Sequence, residues 1–419
     1  MSALSTVRVL ELAESVVGEY CGKLLADFGA EVVKLERPGT GSPTRRSGPF
    51  ASLCGVAEQS TEQAVPDSLE RSGLFGYLNS GKQSVTVDLE DPDGRHTLEQ
   101  LLGVVDVVID DHDGPWLTKL GLDRASCEAR RPELVLCSIT PYGLSDDGQP
   151  QPLAADLNVF HASGWGYHTP TGAEPHTPPL NGAGHYLPSY EAALDGALCV
   201  AAALHDKAET GTGRFIDVSM QAVLASRVDY VLGQMVAGDM EVSTDRQAFD
   251  LFGPAGIFAC ADGYVYLWMS APGHWDALRQ MLGAPAWMDD FPDNWLELAC
   301  TPERVALCRH HVAAWLATQS KSEVSAEGQR LGLTMAPVNN ARDLLACPQF
   351  DHRGFFAEVD HPVLGKTLHP TVPYRLSDSP ARIAGAAPLL DQHAEALAAW
   401  LDMPPKETSQ QHNSPVGRP

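Results

Sequence analysis

Residues 7–36 read VRVLELAESVVGEYCGKLLADFGAEVVKLE. VRVLEL (7–12) is a short apolar run of strand character, and EVVKLE (31–36) is a second. Between them, VGEYCGKLLADFGA (17–30) sets Val17, Tyr20, Cys21, Leu24, Leu25 and Phe28 at helical spacing. Strand, helix and strand in so short a span make a βαβ unit. Its crossover is right-handed, so the two strands are expected side by side and parallel, with ligands at their carboxyl ends.

The alternation continues outward. SVTVDL (84–89), DVVIDD (106–111) and LVLCSITPYG (134–143) read as further strands, and DPDGRHTLEQLL (91–102) as a helix with Asp91 as N-cap and Pro92 in its first turn. The pattern predicts a doubly wound α/β sheet. From Pro141 to Gly184 the chain is rich in Pro, Gly, Thr and His and too long for a plain connector, as functional loops are. GHYLPSYEAALDGALCVAAALHDK (185–208) then reads as a nearly all-apolar helix that opens with Glu191 and Asp195 one turn apart, and TGTGR (210–214) closes it. GIFACADGYVYLWM (256–269) signals a hairpin around Asp262-Gly263, where the parallel pattern stops. Amphipathic helices within 303–331 complete a region of α+β type, and LLDQHAEALAAWL (389–401) reads as a last helix.

The 419 residues carry 44% hydrophobic side chains, enough for a sizeable core. With 29 basic against 54 acidic residues the formal charge is −25, which disfavours nucleic acid and anionic membranes as partners. No stretch approaches the roughly 20 uninterrupted apolar residues of a membrane span, and the N-terminus lacks a secretory pattern, so a cytoplasmic location is expected. The nine cysteines are scattered without a C-x-x-C pair, as reduced core thiols are. No metal site is expected: Cys308, His310 and His311 fall on different helix faces. Against this acidic background Arg37, Arg45 and Arg46 share one Gly/Pro-rich loop, either a solvated loop or a site for phosphate or carboxylate. No G-x-G-x-x-G follows the first strand, which argues against a dinucleotide site.

The collinear set of 7–36 with LERPGTGSPTR, YLNSGKQSVTVDLEDPDGR, LVLCSITPYG, TGTGRFIDVSMQ and APVNNARDLLACPQFDHRGFFAEVDHPVLGKTLHPTVPYRLSDSP resembles the family III CoA-transferases, the CaiB/BaiF group. The resemblance implies a large Rossmann-like lobe completed by both chain ends, with a smaller α+β lobe between them. The expected segments are 1–225 for the large lobe, 226–345 for the small one, 346–403 returning to the large one, and 404–419 as a disordered tail. It further implies an interlocked homodimer that binds acyl-CoA and a small carboxylic acid, with coenzyme A as cosubstrate and no tightly bound cofactor. Val16, Arg37, Asn79, Lys82 and Tyr142 stand at positions where the family holds CoA. Where many members carry a basic N-F-R-P-G, this chain has DDHDGP (110–115).

Members of the family transfer CoA through an aspartate at the start of the helix preceding the T-G-x-G turn, and an ungapped count puts Ser189 at that position. Glu191, two residues on, is then either a relocated nucleophile, a substrate-orienting acid or a first-turn helix acid favoured by the dipole. Asp195 is expected to pair with an arginine or a backbone group. Asp156, in LAADLNVFHASG, is the second catalytic candidate. Ala155 stands where the racemase branch has histidine, which with Ser189 argues against racemisation. His161 and His168 nearby are expected to be packing or loop residues. Transfer of CoA from an acyl-CoA to a carboxylic acid is the leading function. An acyl-CoA lyase, isomerase or hydratase using Asp156 and a histidine, and a non-catalytic acyl-CoA binder, stay open.

Overall fold

The computed structural model describes residues 2–51, 69–145, 149–150, 152, 154–168, 184–238 and 254–404. They fall into two compact units, one from residues 1–169, 178–241 and 354–419, the other from 170–177 and 242–353.

The first unit is built on a six-stranded sheet. Its strands are β1 (Arg8–Glu11), β2 (Glu31–Glu36), β3 (Gln83–Thr86), β4 (Val107–Asp110), β5 (Val135–Thr140) and β6 (Phe215–Ser219). All are parallel, in the order β3-β2-β1-β4-β5-β6. The chain therefore winds outward from β1 and returns to its other side at β4, which opens a crevice at the carboxyl ends of the two strands. Both faces are covered, so apolar residues alternate between two cores. Val9, Val107, Val135, Cys137 and Ile139 turn to one, Leu10, Val108 and Leu136 to the other.

The first core is closed by the helix Val16–Asp27 and the long helix Leu187–Thr210, which pack together. The long helix has the length and apolarity of a membrane span. Its Ala192, Ala193, Val200 and Ala203 are nevertheless buried in this core. At Gly196 an added Cβ would meet Ile139 Cδ1 at 2.7 Å, so glycine lets the helix approach β5 closely. Gly211 ends it in the left-handed conformation (φ 72°), its N–H on the Lys207 carbonyl.

The second core takes its last wall from the far end of the chain. Trp400, on the helix Ala394–Leu401, is buried there and donates its indole N–H to Glu31 at 3.0 Å. That helix begins five residues later than the sequence predicts. Asp391 accepts the Thr86 N–H at 2.8 Å and His393 donates its backbone N–H to the Ser84 carbonyl, so the residues ahead of the helix are committed to β3.

In the second unit β7 (Gly256–Cys260), β8 (Gly263–Trp268) and β9 (Thr334–Val338) form an antiparallel sheet in that order. Cys260 pairs with Gly263, so the hairpin turns on Ala261-Asp262, one residue before the expected pair. The Asp262 carboxylate is used elsewhere: it accepts the Lys321 N–H at 2.8 Å at the start of the helix Lys321–Arg330. The described cysteines are free thiols; Cys54 and the expected tail beyond Pro404 lie outside the described residues.

Candidate active site

A cavity of about 590 Å³ occupies the crevice at the carboxyl ends of β1, β4 and β5. Glu14 to Val17 enter it from the turn after β1, Asp111 to Asp113 from the turn after β4, and Thr140 and Pro141 from the end of β5. Asp156 and Ser189 complete one end.

Two helix starts converge on that end. Asp156 opens the helix Asp156–Ala162, and Ser189 is the third residue of Leu187–Thr210. The Ser189 N–H donates to Asp156 Oδ1 at 2.8 Å and its hydroxyl to Oδ2 at 2.9 Å. An N–H of the first helical turn has no partner within its own helix, so a carboxylate there satisfies it and meets the positive end of the dipole. Burial raises the Asp156 pKa, and the two Ser189 bonds only partly offset it. The result is a half-buried, weakly solvated carboxylate facing a cavity, with two donors fixed at its oxygens. Such a group can attack a carbonyl carbon and leave again as a stabilised anion.

Charge gathers at the Glu14 end. Arg37 grips Glu14 in a fork, Nε to Oε1 at 2.6 Å and Nη2 to Oε2 at 2.5 Å. His112 Nε2 lies 3.6 Å from the same carboxylate, its Nδ1 bonds Asp110 at 2.7 Å, and its ring stacks on Trp116 at 3.8 Å. Burial opposes the His112 cation, but the bonds to Asp110 and Glu14 prevail and push its pKa up to about 10. His112 and Arg37 in turn hold Glu14 below the ordinary carboxylate range against its own burial.

Of the other residues singled out from the sequence, one lies in the cavity and the rest do not line it. Val16 lines the cavity, whereas Tyr142 is the half-buried residue after the lining Pro141. Lys82 and Asn79 are buried beneath the site. Lys82 Nζ contacts Glu11 at 2.7 Å, the Glu19 carbonyl at 2.7 Å and Asn79 Oδ1 at 2.9 Å, and Asn79 donates to Glu19 at 3.0 Å. With Lys34, which meets Glu11 and Glu19 at 3.0 Å each, they form a closed ionic network that leaves the Lys82 ammonium committed within the protein.

Arg45 is spent similarly, forked on Glu36 at 2.8 and 2.7 Å, paired with Glu70 at 2.7 Å and stacked on Phe75. Arg46 donates to the Thr40 carbonyl. Of the loop arginines Arg45 is buried, Arg46 is exposed, and Arg37 keeps 64% of its side chain exposed while it holds Glu14.

Glu191 sits about 200° around the helix from Ser189, two residues at 100° each, and is absent from the cavity lining. Arg227 bridges it at 3.2 Å to Asp195 at 2.7 Å, which resolves the like-charge pair. Glu191 is thus paired outside the cavity lining, whereas Asp156 lies within it, at the end away from Glu14 and His112. His161 stacks edge-on against Phe160 outside the lining, and the His168 side chain lies outside the described residues. Among the described residues no His/Cys/Asp/Glu group has the arrangement of a metal site.

Sequence reading missed Glu14, His112 and Trp116. The one available signal was the spacing of His112 and Trp116 within DDHDGPW (110–116), an aromatic pair four residues apart.

The chain is similar to known proteins along nearly its whole length. The sequence pattern of CoA-transferase family III matches residues 4–394. A succinyl-CoA:mesaconate CoA-transferase of Haloarcula hispanica is 30% identical over 404 residues, covering 95% of this chain and 96% of that protein. A formyl-CoA:oxalate CoA-transferase of Bradyrhizobium sp. is 28% identical over 439 residues, covering 98% and 96%. Among solved structures, a CaiB/BaiF family protein from Brucella suis superposes with a TM-score of 0.76 at 26% identity, covering 96% of this chain and all of that one.

Proposed function

This chain belongs to CoA-transferase family III, and from that premise we propose that it moves CoA from an acyl-CoA donor to a small carboxylic acid with Asp156 as the nucleophile. The observation that carries the assignment is the Asp156 carboxylate in the cavity, held by the N–H and hydroxyl of Ser189.

Asp156 attacks the donor's thioester carbonyl; the C–S bond breaks, leaving an aspartyl anhydride and CoA thiolate. The thiolate attacks the Asp156 carbonyl, the donor acid leaves as its carboxylate, and Asp156 carries CoA as a thioester. The acceptor carboxylate then displaces the thiolate, forming a second anhydride. Thiolate attack on the acceptor's carbonyl releases the new acyl-CoA and restores Asp156. No electron or proton is consumed, so the chemistry requires no further cofactor. In the second and third steps the tetrahedral carbon is that of Asp156 itself, so negative charge develops on an aspartyl oxygen, where the Ser189 donors already point. Ser189 itself cannot replace the carboxylate, because an alcohol forms an ester with the acyl group and offers no carbonyl to hold CoA.

The relatives' substrates suggest succinyl-CoA and formyl-CoA as donors and mesaconate and oxalate as acceptors to try. We also read the protein as a homodimer. The long helix leaves Leu198 68% exposed, with Leu194 and Cys199 also open, an outer face suited to a second copy.

Borohydride reduction during turnover, followed by peptide mass spectrometry, tests the nucleophile. Modification is expected on the peptide containing Asp156. Modification of the Glu191 peptide, or turnover with neither modified, would refute the assignment.

A further inference from the structure

We propose that Glu14 is an internal stand-in for a phosphate of CoA: its carboxylate occupies the cation fork of Arg37 and His112, and CoA binds by displacing it. The proposal rests on the reading that this cavity takes CoA.

The geometry is that of a loaded anion site. A guanidinium reaches Glu14 through two parallel bonds, 2.6 and 2.5 Å, the arrangement arginine makes with carboxylate or phosphate alike. A second cation, the His112 ring, approaches Oε2 at 3.6 Å. The groups facing that ring are Asp110 and Asp111 on its own turn, Glu14 from the turn after β1, and Trp116. The Asp110 bond fixes the Nδ1 side and leaves Nε2 directed at the anion position.

The Glu14 side chain can leave without moving its loop. The Glu14 N–H is held by Asp111 Oδ1 at 2.9 Å, and its carbonyl accepts from Ser42 Oγ at 3.2 Å. Only side-chain torsions need change. Arg37 is 64% exposed, so it has solvent room to follow an incoming phosphate.

The arrangement explains how an acidic chain with DDHDGP in place of a basic motif keeps an anion site. Arg37 and His112 are neutralised in the free protein by a removable carboxylate. With that carboxylate in place a phosphate meets like charge; with it withdrawn the phosphate inherits both cations. CoA affinity is then set by exchange between two anions. This weakens ground-state binding and favours release of the product thioester.

The test is calorimetric titration with CoA and with pantetheine, which lacks the phosphates, on the wild type, Glu14→Gln and Arg37→Ala. Glu14→Gln is expected to tighten CoA about three- to thirtyfold, the scale of freeing one partly exposed ion pair and one like-charge contact. The gain should shrink at high salt and be absent with pantetheine. Glu14→Asp, which keeps the charge but draws it back by one methylene, should give an intermediate gain and serves if the glutamine variant fails to fold.

Unchanged or weaker CoA binding in both variants overturns the proposal, as does an equal gain with pantetheine. Arg37→Ala separates the two levels. If it weakens CoA binding while Glu14→Gln tightens nothing, only the stand-in role falls. If CoA binds all variants alike, the CoA reading of the cavity falls with it.

Discussion

Replacing Asp156 by asparagine removes one charge and almost no shape, and its consequences for rate and for stability have opposite signs. The amide oxygen can still accept the Ser189 N–H, at 2.8 Å from Oδ1 in the wild type. The amide nitrogen can donate to the Ser189 hydroxyl, now 2.9 Å from Oδ2, with that hydroxyl turning to accept. The helix start therefore keeps its cap.

With Asp156 as the proposed nucleophile, what disappears is the attacking oxygen, so CoA exchange should fall on the order of a thousandfold or more, about 4 kcal/mol of barrier. Stability moves the other way. Burial raises the Asp156 pKa above its ordinary value of 3.8. A raised folded-state pKa means the stability from this group is fully present below pH 3.8 and declines as pH climbs through the raised value. At neutral pH Asp156→Asn is thus expected to melt at or above the wild-type temperature.

Isotope exchange between a labelled carboxylic acid and its CoA thioester, for the donors proposed above, measures the rate; calorimetry measures the melting. Exchange within about twofold of wild type would refute the reasoning. So would a loss of exchange accompanied by a lower melting temperature, which would make Asp156 only the cap of the long helix.

Lys82→Ala leaves Glu11 and Glu19 short of a cation in a fully buried network, and chemical denaturation should show a loss of about 3–5 kcal/mol. Glu191→Gln keeps the Arg227–Asp195 pair; exchange rate should stay near wild type and stability change by less than about 1 kcal/mol, and a collapse of exchange would return Glu191 to candidacy as nucleophile. His112, held charged by Asp110 and Glu14 to about pH 10, contributes stability that is complete below its ordinary value near 6.5 and lost as pH rises through 10. Melting curves of wild type and His112→Gln should therefore converge across that interval, and parallel curves would exclude the ion pair as the cause.

Much of the architecture was legible because it is written in neighbours. The alternation of strand and helix periods in 7–36 needs only residues a few places apart, and it specifies a parallel pair whatever lies elsewhere. The Asp91 cap and Pro92 start are likewise local, and the structure shows the Asp91 side chain accepting the Asp93 N–H. The run of apolar residues in 185–208 sufficed for a helix. Its helical spacing put Glu191 and Asp195 on one face, and that face could have been either catalytic or structural.

Tertiary structure chose between those meanings, because side-chain roles depend on partners the chain brings from afar. Asp156 and Ser189 are 33 residues apart and meet only when two helices start at one crevice. Arg227, 32 residues beyond Asp195, turns a repulsive pair into a bridge that also holds Glu191. Arg37 reaches back across β2 to Glu14, and His112 arrives from the turn after β4. Lys82, at a position where the family holds CoA, is buried with its ammonium on the Glu11 carboxylate and the Glu19 backbone carbonyl, 71 and 63 residues away in the chain. Sequence periodicity records which face of an element is apolar. It carries no record of which distant charge that element will meet, and in a protein with 54 acids and 29 bases only the folded chain decides which carboxylates find a cation.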